Sequence, residues 1–313
     1  MPTKPIEDLL LRELPTDIET TLASLAGAIE ETVNFGTQIF KWCVDSGVQG
    51  NEHGPIFLSF RHILEMLDSI SVLVKKSCFE PSNILLRSIF EAILNIEYLL
   101  KDNFAEKAID FLFMYQHDRL RHNKKMLAYL KSDKYSKLDP LIRKKLPINI
   151  SEIEKQIQDI EESLSKPASL NSKQELERYR AGNNGRYPLH WFNLRKGPRN
   201  ISELADRVGK TLHYLILYKE WSRLIHGTGI FYDKFSISKD GRVLFTQFRL
   251  PKESGLITSF SISFALETFR IMLDKYAKDK IPISREWYAK EIREVYSKIL
   301  EIEPIIILDS SSP

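Results

Sequence analysis

The composition of the chain is that of a globular protein with nearly balanced charge. Its 313 residues are 43% hydrophobic and 28% charged, which supplies enough apolar surface for one large core or two smaller ones. The 45 basic and 42 acidic residues leave a net charge of +3, which argues against a uniformly basic protein that coats nucleic acid.

The start of the chain shows no sign of export or of membrane insertion. Residues 1–10 lack a basic segment followed by an apolar one, so we expect no secretory signal. The longest apolar run, residues 84–100, is interrupted by charged and amide side chains that a lipid-facing helix hardly tolerates.

The two cysteines, Cys43 and Cys78, fit no metal-ligand or redox spacing. We therefore expect a cytoplasmic protein without a membrane partner.

Long helical periodicity dominates the N-terminal half, residues 16–131. Apolar residues recur near a 3.6-residue period and predict helices over residues 16–46, 56–77, 81–101 and 105–131. Because the joints between these segments are short, we expect the four helices to pack antiparallel in a bundle.

The middle of the chain, residues 132–199, is predicted to be an irregular, basic connecting region. Proline and glycine interrupt it, and one charged helix is predicted at about residues 150–165. Its last part, residues 178–199, contains six Lys or Arg residues and no Asp or Glu, interleaved with aromatic residues. This part is therefore the most basic surface candidate in the sequence.

The basic stretch 178–199 has two interpretations. The first is an RNA-binding surface, with Arg180 and Arg186 on phosphates and Trp191 stacked on unpaired bases. The second is a loop that packs Trp191 and Phe192 onto the bundle and leaves its charges in water. Binding that falls steeply with added salt would support the first interpretation.

The C-terminal part, residues 200–302, combines helices with a short change of period. A helix is predicted from a Ser202 cap to about residue 225. Alternating apolar residues around a Lys-Asp-Gly turn then predict a hairpin at about residues 233–248. Helices follow at about 255–279 and 284–302. The whole chain is thus predicted to be one mainly α domain, a multi-helix bundle with one small inserted β-hairpin.

A row of polar side chains interrupts the apolar third helix. The row consists of Arg87, Glu91, Asn95 and Tyr98. At about 100° per residue, these side chains fall within about 80° of one another. Because their neighbours are apolar, the row needs partners within the fold. We expect either a structural network that braces the core or the floor of a ligand or catalytic pocket.

A second polar face lies about 125 residues further along the chain. Tyr218, Ser222 and His226 recur at four-residue spacing and so share one face of a helix. A histidine near a helix C-terminus gains proton affinity from the helix dipole and is suited to proton transfer near neutral pH. We therefore expect the two faces to meet, with Glu91 orienting the imidazole. The alternative is a histidine that only hydrogen-bonds a carboxylate in the core.

Two sequence blocks carry a resemblance to a known family. The first is LRSIFEA at residues 86–92 followed by NIEY at 95–98, and the second is YKEWSRLIHG at 218–227. In this pairing and order the chain resembles a mostly bacterial helical family catalogued as domain of unknown function 5677. The similarity is concentrated within about residues 55–280, so the first and last predicted helices lie outside it.

The second block is also similar to the catalytic helix of the higher eukaryotes and prokaryotes nucleotide-binding (HEPN) superfamily, helical ribonucleases of toxin, abortive-infection and CRISPR systems. These proteins carry an Arg that steadies the scissile phosphate, separated by four to six residues from a His that acts as acid or base. The corresponding positions here are Trp221, Glu220 and Lys219. The resemblance implies His226 as the acid-base residue and either Lys219 or Arg87 as the phosphate-binding cation.

Two functions are consistent with these patterns. The first is a HEPN-like, RNA-acting protein, namely a metal-independent endoribonuclease of phage defence or of a toxin–antitoxin system. Its site would include Ser222 and Glu91, with Asn95, Tyr98 and Tyr218 as binding residues. The second is a non-catalytic helical binding or interaction module in which the Arg/Glu/His network is structural.

Metals, cofactors and oligomers leave fewer signals in the sequence. The seven histidines are scattered, and none of their spacings fits a zinc site, so we predict no metal and no cofactor. RNA, bound through the basic stretch, is the predicted macromolecular partner. The long amphipathic helices are also consistent with a homodimer.

Overall fold

The computed structural model describes residues 4–6, 9–141, 149–219, 221–222, 235–237 and 240–300. Most of these residues are helical, which confirms the mainly α fold class. The α-helices, in chain order, are α1 (Thr16–Asp45), α2 (Gly54–Lys75), α3 (Phe79–Leu100), α4 (Phe104–Leu130), α5 (Asp133–Ser136), α6 (Ile150–Leu164), α7 (Leu170–Gly182), α8 (Ile201–Arg207), α9 (Thr211–His213), α10 (Ser254–Tyr276), α11 (Ile281–Trp287) and α12 (Arg293–Leu300).

Short helical turns of two other kinds lie between or beside these helices. The 3₁₀ turns are Asn51–His53, Pro167–Ser169, Trp191–Asn193, Pro251–Glu253 and Lys278–Lys280. A π-helical turn, Tyr214–Tyr218, follows α9 directly, and a second one, Tyr288–Ile292, joins α11 to α12.

Two three-residue strands lie inside the range of the predicted hairpin. Strand β1 (Phe235–Ile237) pairs antiparallel with β2 (Val243–Phe245), and Phe235 lies opposite Phe245. Residues 231–234 and 238–239 lie outside the described residues. The hairpin over about 233–248 as a whole therefore stays a prediction.

The described residues group into two compact units. Unit 1 contains the residues up to Tyr98 and those from Val208 onward, and unit 2 contains Leu99–Arg207. The sequence analysis grouped α4 with the N-terminal half, whereas α4 belongs to unit 2 because it packs against α6 and the turn Trp191–Asn193. The grouping of both units into a single domain stays a prediction.

The core of unit 1 is built from α1, α2, α3 and α10. Phe60 of α2, Phe90 of α3 and Phe269 of α10 are fully buried, and each such side chain contributes about 1.5–3 kcal/mol of burial free energy. Gly36 lets α1 approach its neighbours closely. A Cβ atom at this position would collide with Leu64 of α2 and lie only 2.9 Å from the Phe269 ring.

Helix α10 is apolar along most of its length. The segment Pro251–Tyr276 contains an 18-residue window with a mean hydropathy of 1.4 and is, among the described residues, the helix that could cross a membrane by length and composition. The sequence analysis considered only residues 84–100 and did not identify it. In the structure, 56% of its most apolar window is buried, and Phe264 lies 5.9 Å from Phe90, measured between ring centres. Core helices of globular proteins share this length and composition, so the segment is weak grounds for a membrane span.

The core of unit 2 forms where α4 meets α6, α7 and the turn Trp191–Asn193. Its buried side chains are Phe113 and Met114 of α4, Leu176 of α7 and Leu194. Helix α6 begins where the Asn149 side chain accepts a hydrogen bond from the Glu152 amide, and it buries Ile153 and Ile160.

The helix predicted from Ser202 to about residue 225 differs from the structure in two respects. The Asn200 side chain, and not Ser202, caps α8, because Asn200 Oδ1 accepts a hydrogen bond from the Glu203 amide at 3.0 Å. After α8, Gly209 adopts a left-handed conformation with φ +76°, which ends the helix before α9 begins. Residues 223–225 lie outside the described part of the chain.

Candidate functional site

The first two members of the polar row on α3 form a closed network with Tyr218. Arg87 Nε donates to Glu91 Oε1 at 3.1 Å, and Arg87 Nη2 donates to the Tyr218 hydroxyl at 2.8 Å. The same hydroxyl donates to Glu91 Oε1 at 2.8 Å. The guanidinium carbon also lies 4.6 Å from the centre of the Tyr218 ring. Each of the three residues therefore has two partners inside the network.

Burial affects the protonation of one member of this network, the Tyr218 phenol. Tyr218 is buried, while the Arg87 side chain is 15% exposed and that of Glu91 is 33% exposed. Burial and the hydrogen bond to Glu91 raise the pKa of Tyr218 to about 12. At neutral pH the phenol therefore stays protonated, and its O–H group donates a hydrogen bond to the Glu91 carboxylate. The network thus contains one cation, one anion and one neutral hydroxyl, and its net charge is zero.

The backbone around Tyr218 is unusual because it lies in a π-helical turn. Tyr218 is the last residue of the turn Tyr214–Tyr218, and the two tyrosine rings at its ends stack with centres 5.1 Å apart. Tyr218 also lies 6.1 Å from the Phe90 ring. π-Helical turns are rare and occur frequently at functional sites. The wider turn places the hydroxyl against α3.

The remaining members of the polar row are placed differently. Asn95 Nδ2 donates to the backbone carbonyl of Glu91 at 2.9 Å, so this bond lies within α3. Tyr98 is half-buried. The structure thus confirms that Arg87 and Glu91 meet Tyr218, and it shows the Asn95 amide bonded to its own helix.

The second block is only partly described. Ser222 is half-buried one turn after Tyr218, and Lys219 is exposed. Glu220 and residues 223–234, which include His226, lie outside the described residues. The predicted contact between Glu91 and the imidazole of His226 therefore stays a prediction.

A buried lysine on the neighbouring segment forms a second polar cluster in unit 1. The ammonium of Lys210 lies 3.4 Å from Glu97 Oε1 on α3 and also pairs with Glu267 on α10. Burial raises the pKa of Glu97, against the opposing effect of the Lys210 charge. The sequence analysis treated Glu97 only as an interruption of an apolar run. A second carboxylate in this run, after Glu91, was the available signal for a buried ion pair.

The aromatic residues of the basic stretch 178–199 serve mainly to pack unit 2. Phe192 and Leu194 are buried, and the Trp191 ring lies 5.5 Å from Phe111 of α4 in an edge-on arrangement. Trp191 is half-buried and also contacts the core cluster. This packing corrects the assignment of Trp191 as a base-stacking residue and agrees with the second interpretation of the stretch.

Two arginines of the stretch form exposed ion pairs with carboxylates. Arg178 pairs with Glu175, and Arg199 pairs with Glu203. These partners lie just outside the stretch or on the next helix, so the absence of acidic residues within 178–199 did not reveal them. Both guanidinium groups stay largely exposed to water, at 71% for Arg178 and 86% for Arg199, as the second interpretation of the stretch expected.

Arg195 is held by a buried carboxylate that the sequence analysis missed. Asp110 of α4 is 2% exposed, and it accepts hydrogen bonds from Arg195 Nε at 2.5 Å and from Arg195 Nη2 at 3.2 Å. The Ser172 hydroxyl donates to the same carboxylate at 2.6 Å, and Glu106 pairs with the guanidinium at 2.6 Å. A single Asp in the apolar run of α4 was the only sequence signal for this site.

The loop after the turn Trp191–Asn193 presents a lysine at the edge of a cleft. Arg195 and Lys196 both adopt left-handed backbone conformations, with φ values of +53° and +56°. The Asn193 side chain fixes the loop, because its Nδ2 donates to the Pro198 carbonyl at 2.7 Å and its Oδ1 accepts from the His190 amide at 2.9 Å. Such strained conformations persist only where the surroundings enforce them.

The cleft itself lies within unit 2 and has a volume of about 820 Å³. Its lining residues are Glu106, Glu175, Arg178, Tyr179, Gly182, Asn183, Asn193, Arg195, Lys196, Gly197 and Arg199. Three of its four cationic side chains are in the ion pairs described above. Lys196 is exposed and, within the described residues, makes no ion pair. We refer to this feature as the Lys196 cleft.

The other two predicted RNA contacts lie outside the lining of this cleft. The Arg180 guanidinium carbon lies 4.4 Å from the centre of the Tyr187 ring, and that of Arg121 lies 4.9 Å from the same ring. Arg186 is exposed and directly follows Gly185, whose φ of +75° marks a tight turn.

Comparison with known proteins gave one match. The family of unknown function DUF5677 matches residues 53–242, which is more than half of the chain. The chain belongs to this family. Comparison with curated proteins and with solved structures found no match.

The DUF5677 region contains both features described above. Residues 53–242 include the Arg87–Glu91–Tyr218 network and every residue of the Lys196 cleft. Helix α10 lies beyond the match, although the sequence resemblance was expected to extend to about residue 280. The similarity to HEPN ribonucleases stays a prediction. Among the described residues of this DUF5677 protein, no group of three or more His, Cys, Asp or Glu side chains could hold a metal ion.

Proposed function

We propose that this DUF5677 protein is a helical binding protein for single-stranded RNA, and that the Arg87–Glu91–Tyr218 network is structural. The observation that carries the proposal is the Lys196 cleft, where an unpaired lysine stands on a loop held in a strained conformation. A backbone strained by about 1 kcal/mol or more per residue is commonly retained where it positions a functional group.

The size and lining of the cleft support this proposal. A volume of about 820 Å³ falls in the range of pockets that hold small molecules and can accept one nucleotide of a longer strand. The Asn183 side chain offers its amide oxygen to base edges, together with the one N–H group that remains after Nδ2 donates to the Tyr179 carbonyl at 2.7 Å. Lys196 supplies the charge for a phosphate. Because Arg195 is held by Asp110 and the other two arginines form exposed ion pairs with carboxylates, we expect Lys196 to make the principal phosphate contact of the cleft.

The network in unit 1 suits a structural function better than a catalytic one. Two of the five N–H groups of Arg87, one on Nε and one on Nη2, already donate to Glu91 and Tyr218, and the Glu91 carboxylate offsets the charge that a phosphate would contact. The network ties α3 to the π-helical turn Tyr214–Tyr218. In this proposal it holds the fold of unit 1.

The test is the salt dependence of RNA binding by two lysine variants. Fluorescence anisotropy with a labelled, mixed-sequence single-stranded RNA measures the dissociation constant between about 50 and 200 mM salt. We expect Lys196→Gln to reduce the slope of log K against log salt by about 0.7, the value for one phosphate contact on a single strand. Lys155→Gln, an exposed lysine on α6 outside the cleft, serves as the matched control and should leave the slope unchanged. Equal slopes for all three proteins, or no binding at all, would contradict the proposal.

A second candidate function is a HEPN-like, metal-independent endoribonuclease. The specific observation in its favour is that Arg87 of α3 contacts Tyr218, which lies one turn before Ser222 and eight positions before His226 in the sequence. In this mechanism His226 moves a proton at the 2′-hydroxyl or at the leaving oxygen, while Arg87 or Lys219 stabilises the phosphate. A cytoplasmic location, a homodimer and a function in phage defence or a toxin–antitoxin system belong to this second proposal.

Cleavage of mixed RNA in the presence of EDTA tests the endoribonuclease. We expect a cleaving wild-type protein to lose activity in His226→Ala and in Arg87→Ala, with circular dichroism showing that both variants are folded. Cleavage that survives both substitutions would contradict these assignments. Absence of cleavage by the wild-type protein, together with salt-dependent RNA binding, would leave the first proposal in place.

A further inference from the structure

Unit 2 contains a second cavity that is separate from the Lys196 cleft. It has a volume of about 300 Å³ and lies among α4, α6 and α7. Its lining residues are Phe113, His117, Leu120, Glu161, Leu164, Ser165, Lys173, Leu176, Glu177 and Arg180. Apolar walls combined with a few convergent polar groups are typical of small-molecule sites.

Two polar atoms on this lining are buried without a hydrogen-bond partner. They are Nδ1 of His117 and Nε of Arg180. A buried polar group without a hydrogen-bond partner destabilises the fold, and more so where the group is charged. A bound partner that accepts a hydrogen bond from Arg180 and contacts His117 would remove both costs at once.

The setting of Arg180 leaves its donors available for a ligand. Its guanidinium carbon lies 4.4 Å from the centre of the Tyr187 ring, a contact that takes up none of its N–H groups in a hydrogen bond, and Nε has no hydrogen-bond partner among the described residues. Burial lowers the pKa of His117, so the imidazole is neutral and Arg180 carries the charge beside it. The apolar wall next to them consists of Phe113 and Leu176, which are both buried.

The buried end of the cavity, and not the charged residues at its rim, defines the sign of the ligand. Lys173 adds a second cation, and two carboxylates, Glu161 and Glu177, also line the cavity. These three side chains belong to exposed residues, and Glu161 is paired with Lys124, so solvent screens their charges. The buried end of the cavity, at Arg180 and His117, therefore favours an anion.

We propose that this cavity binds a small organic anion, with a carboxylate or phosphate head at Arg180 and His117 and an apolar body against Phe113 and Leu176. The site uses different residues from the Lys196 cleft and stands independently of RNA binding. The head group and the apolar body are both required. The volume limits the ligand to a single ring or a short branched chain.

Four probe molecules separate these requirements. Benzoate and phenyl phosphate carry an anionic head on an apolar body, benzyl alcohol has the body without the charge, and inorganic phosphate has the charge without the body. Isothermal titration calorimetry, with ligand-observed NMR for weak binding, measures each dissociation constant. We expect saturable binding of benzoate or phenyl phosphate, about tenfold or more tighter than benzyl alcohol and inorganic phosphate. The preferred anion identifies the head group.

Three variants locate the binding. Arg180→Gln removes the charged donor, and Ser165→Trp fills the cavity from an exposed position, so both should abolish saturable binding of the anion. Arg119→Gln, an exposed arginine on α4 outside the lining, is the matched control and should bind as the wild type does. The proposal is overturned by no saturable binding of either anion, by equal affinity for a control probe, or by binding that survives in either Arg180→Gln or Ser165→Trp.

Discussion

The polar network of unit 1 and the Lys196 cleft of unit 2 use similar residues in opposite ways. In unit 1, Arg87 and Glu91 form an ion pair, and both hydrogen-bond to Tyr218, so the two charges have partners within the fold. In unit 2, Asp110 holds Arg195 in a comparable buried contact, while the adjacent Lys196 stays exposed. Lys196, which makes no ion pair within the described residues, is therefore more available to a ligand than Arg87 or Arg195.

The largest expected effect concerns the buried carboxylate that fixes the Lys196 loop. Asp110→Ala leaves the Arg195 guanidinium without its closest partner and the Ser172 hydroxyl without an acceptor. Breaking such a buried pair costs about 3 kcal/mol, which chemical denaturation followed by circular dichroism will measure. Asp118→Ala, an exposed residue of the same helix, should change the free energy of unfolding by less than about 0.5 kcal/mol. Similar losses for both variants would show that Asp110 has no special function.

A smaller decrease in the free energy of unfolding is expected when the hydroxyl of the unit 1 network is removed. Tyr218→Phe removes the hydrogen bonds to both Arg87 and Glu91 but keeps the ring packed against Phe90. We expect a decrease of about 1.5 kcal/mol in the free energy of unfolding, because both bonds involve a charged group. Tyr115→Phe, at an exposed tyrosine, is the control and should be neutral. A neutral Tyr218→Phe would mean that the network does not stabilise unit 1.

The same hydroxyl predicts a dependence of stability on alkaline pH. The pKa of Tyr218 is about 12 in the folded state and about 10 in the unfolded chain, so folding favours the protonated phenol. Its contribution is complete below pH 10 and is lost as the pH rises from 10 to 12. Over this range the wild type should therefore lose more stability than Tyr218→Phe, as measured by urea denaturation at each pH. Parallel losses in the two proteins would show that Tyr218 titrates normally.

The smallest effect on stability is expected at Lys196. Since the side chain is exposed and unpaired, Lys196→Gln should change the free energy of unfolding by less than about 0.5 kcal/mol. A large loss would place Lys196 among the structural residues and remove the contrast between the two regions. Thermal unfolding of the wild type and the variant provides the measurement.

Helices with a regular apolar stripe could be predicted closely from the sequence. Helix α1 was expected at 16–46 and extends over Thr16–Asp45, because its buried residues recur at helical spacing. Helix α7 was not predicted, since it buries only Ser172 and Leu176 and leaves no stripe to detect. A helix could therefore be predicted where its buried residues recur at regular spacing, and not merely because the segment is helical.

The same limit applies to the candidate sites. The meeting of Arg87 and Glu91 with Tyr218 could be predicted, because both helical faces are periodic and both blocks belong to one family resemblance. The pairing of Asp110 with Arg195 joins residues 85 positions apart and has no periodic pattern. The basic stretch was recognised, but its neutralisation depended on contacts that only the fold reveals.

The most direct test of the central claim compares RNA binding by one variant from each region. Dissociation constants for single-stranded RNA at one fixed, low salt concentration are to be measured for Lys196→Gln and Arg87→Met, with circular dichroism confirming that both are folded. If the cleft binds RNA and the network is structural, Lys196→Gln weakens binding and Arg87→Met leaves it unchanged. Loss of binding in folded Arg87→Met, with wild-type binding by Lys196→Gln, would contradict the account.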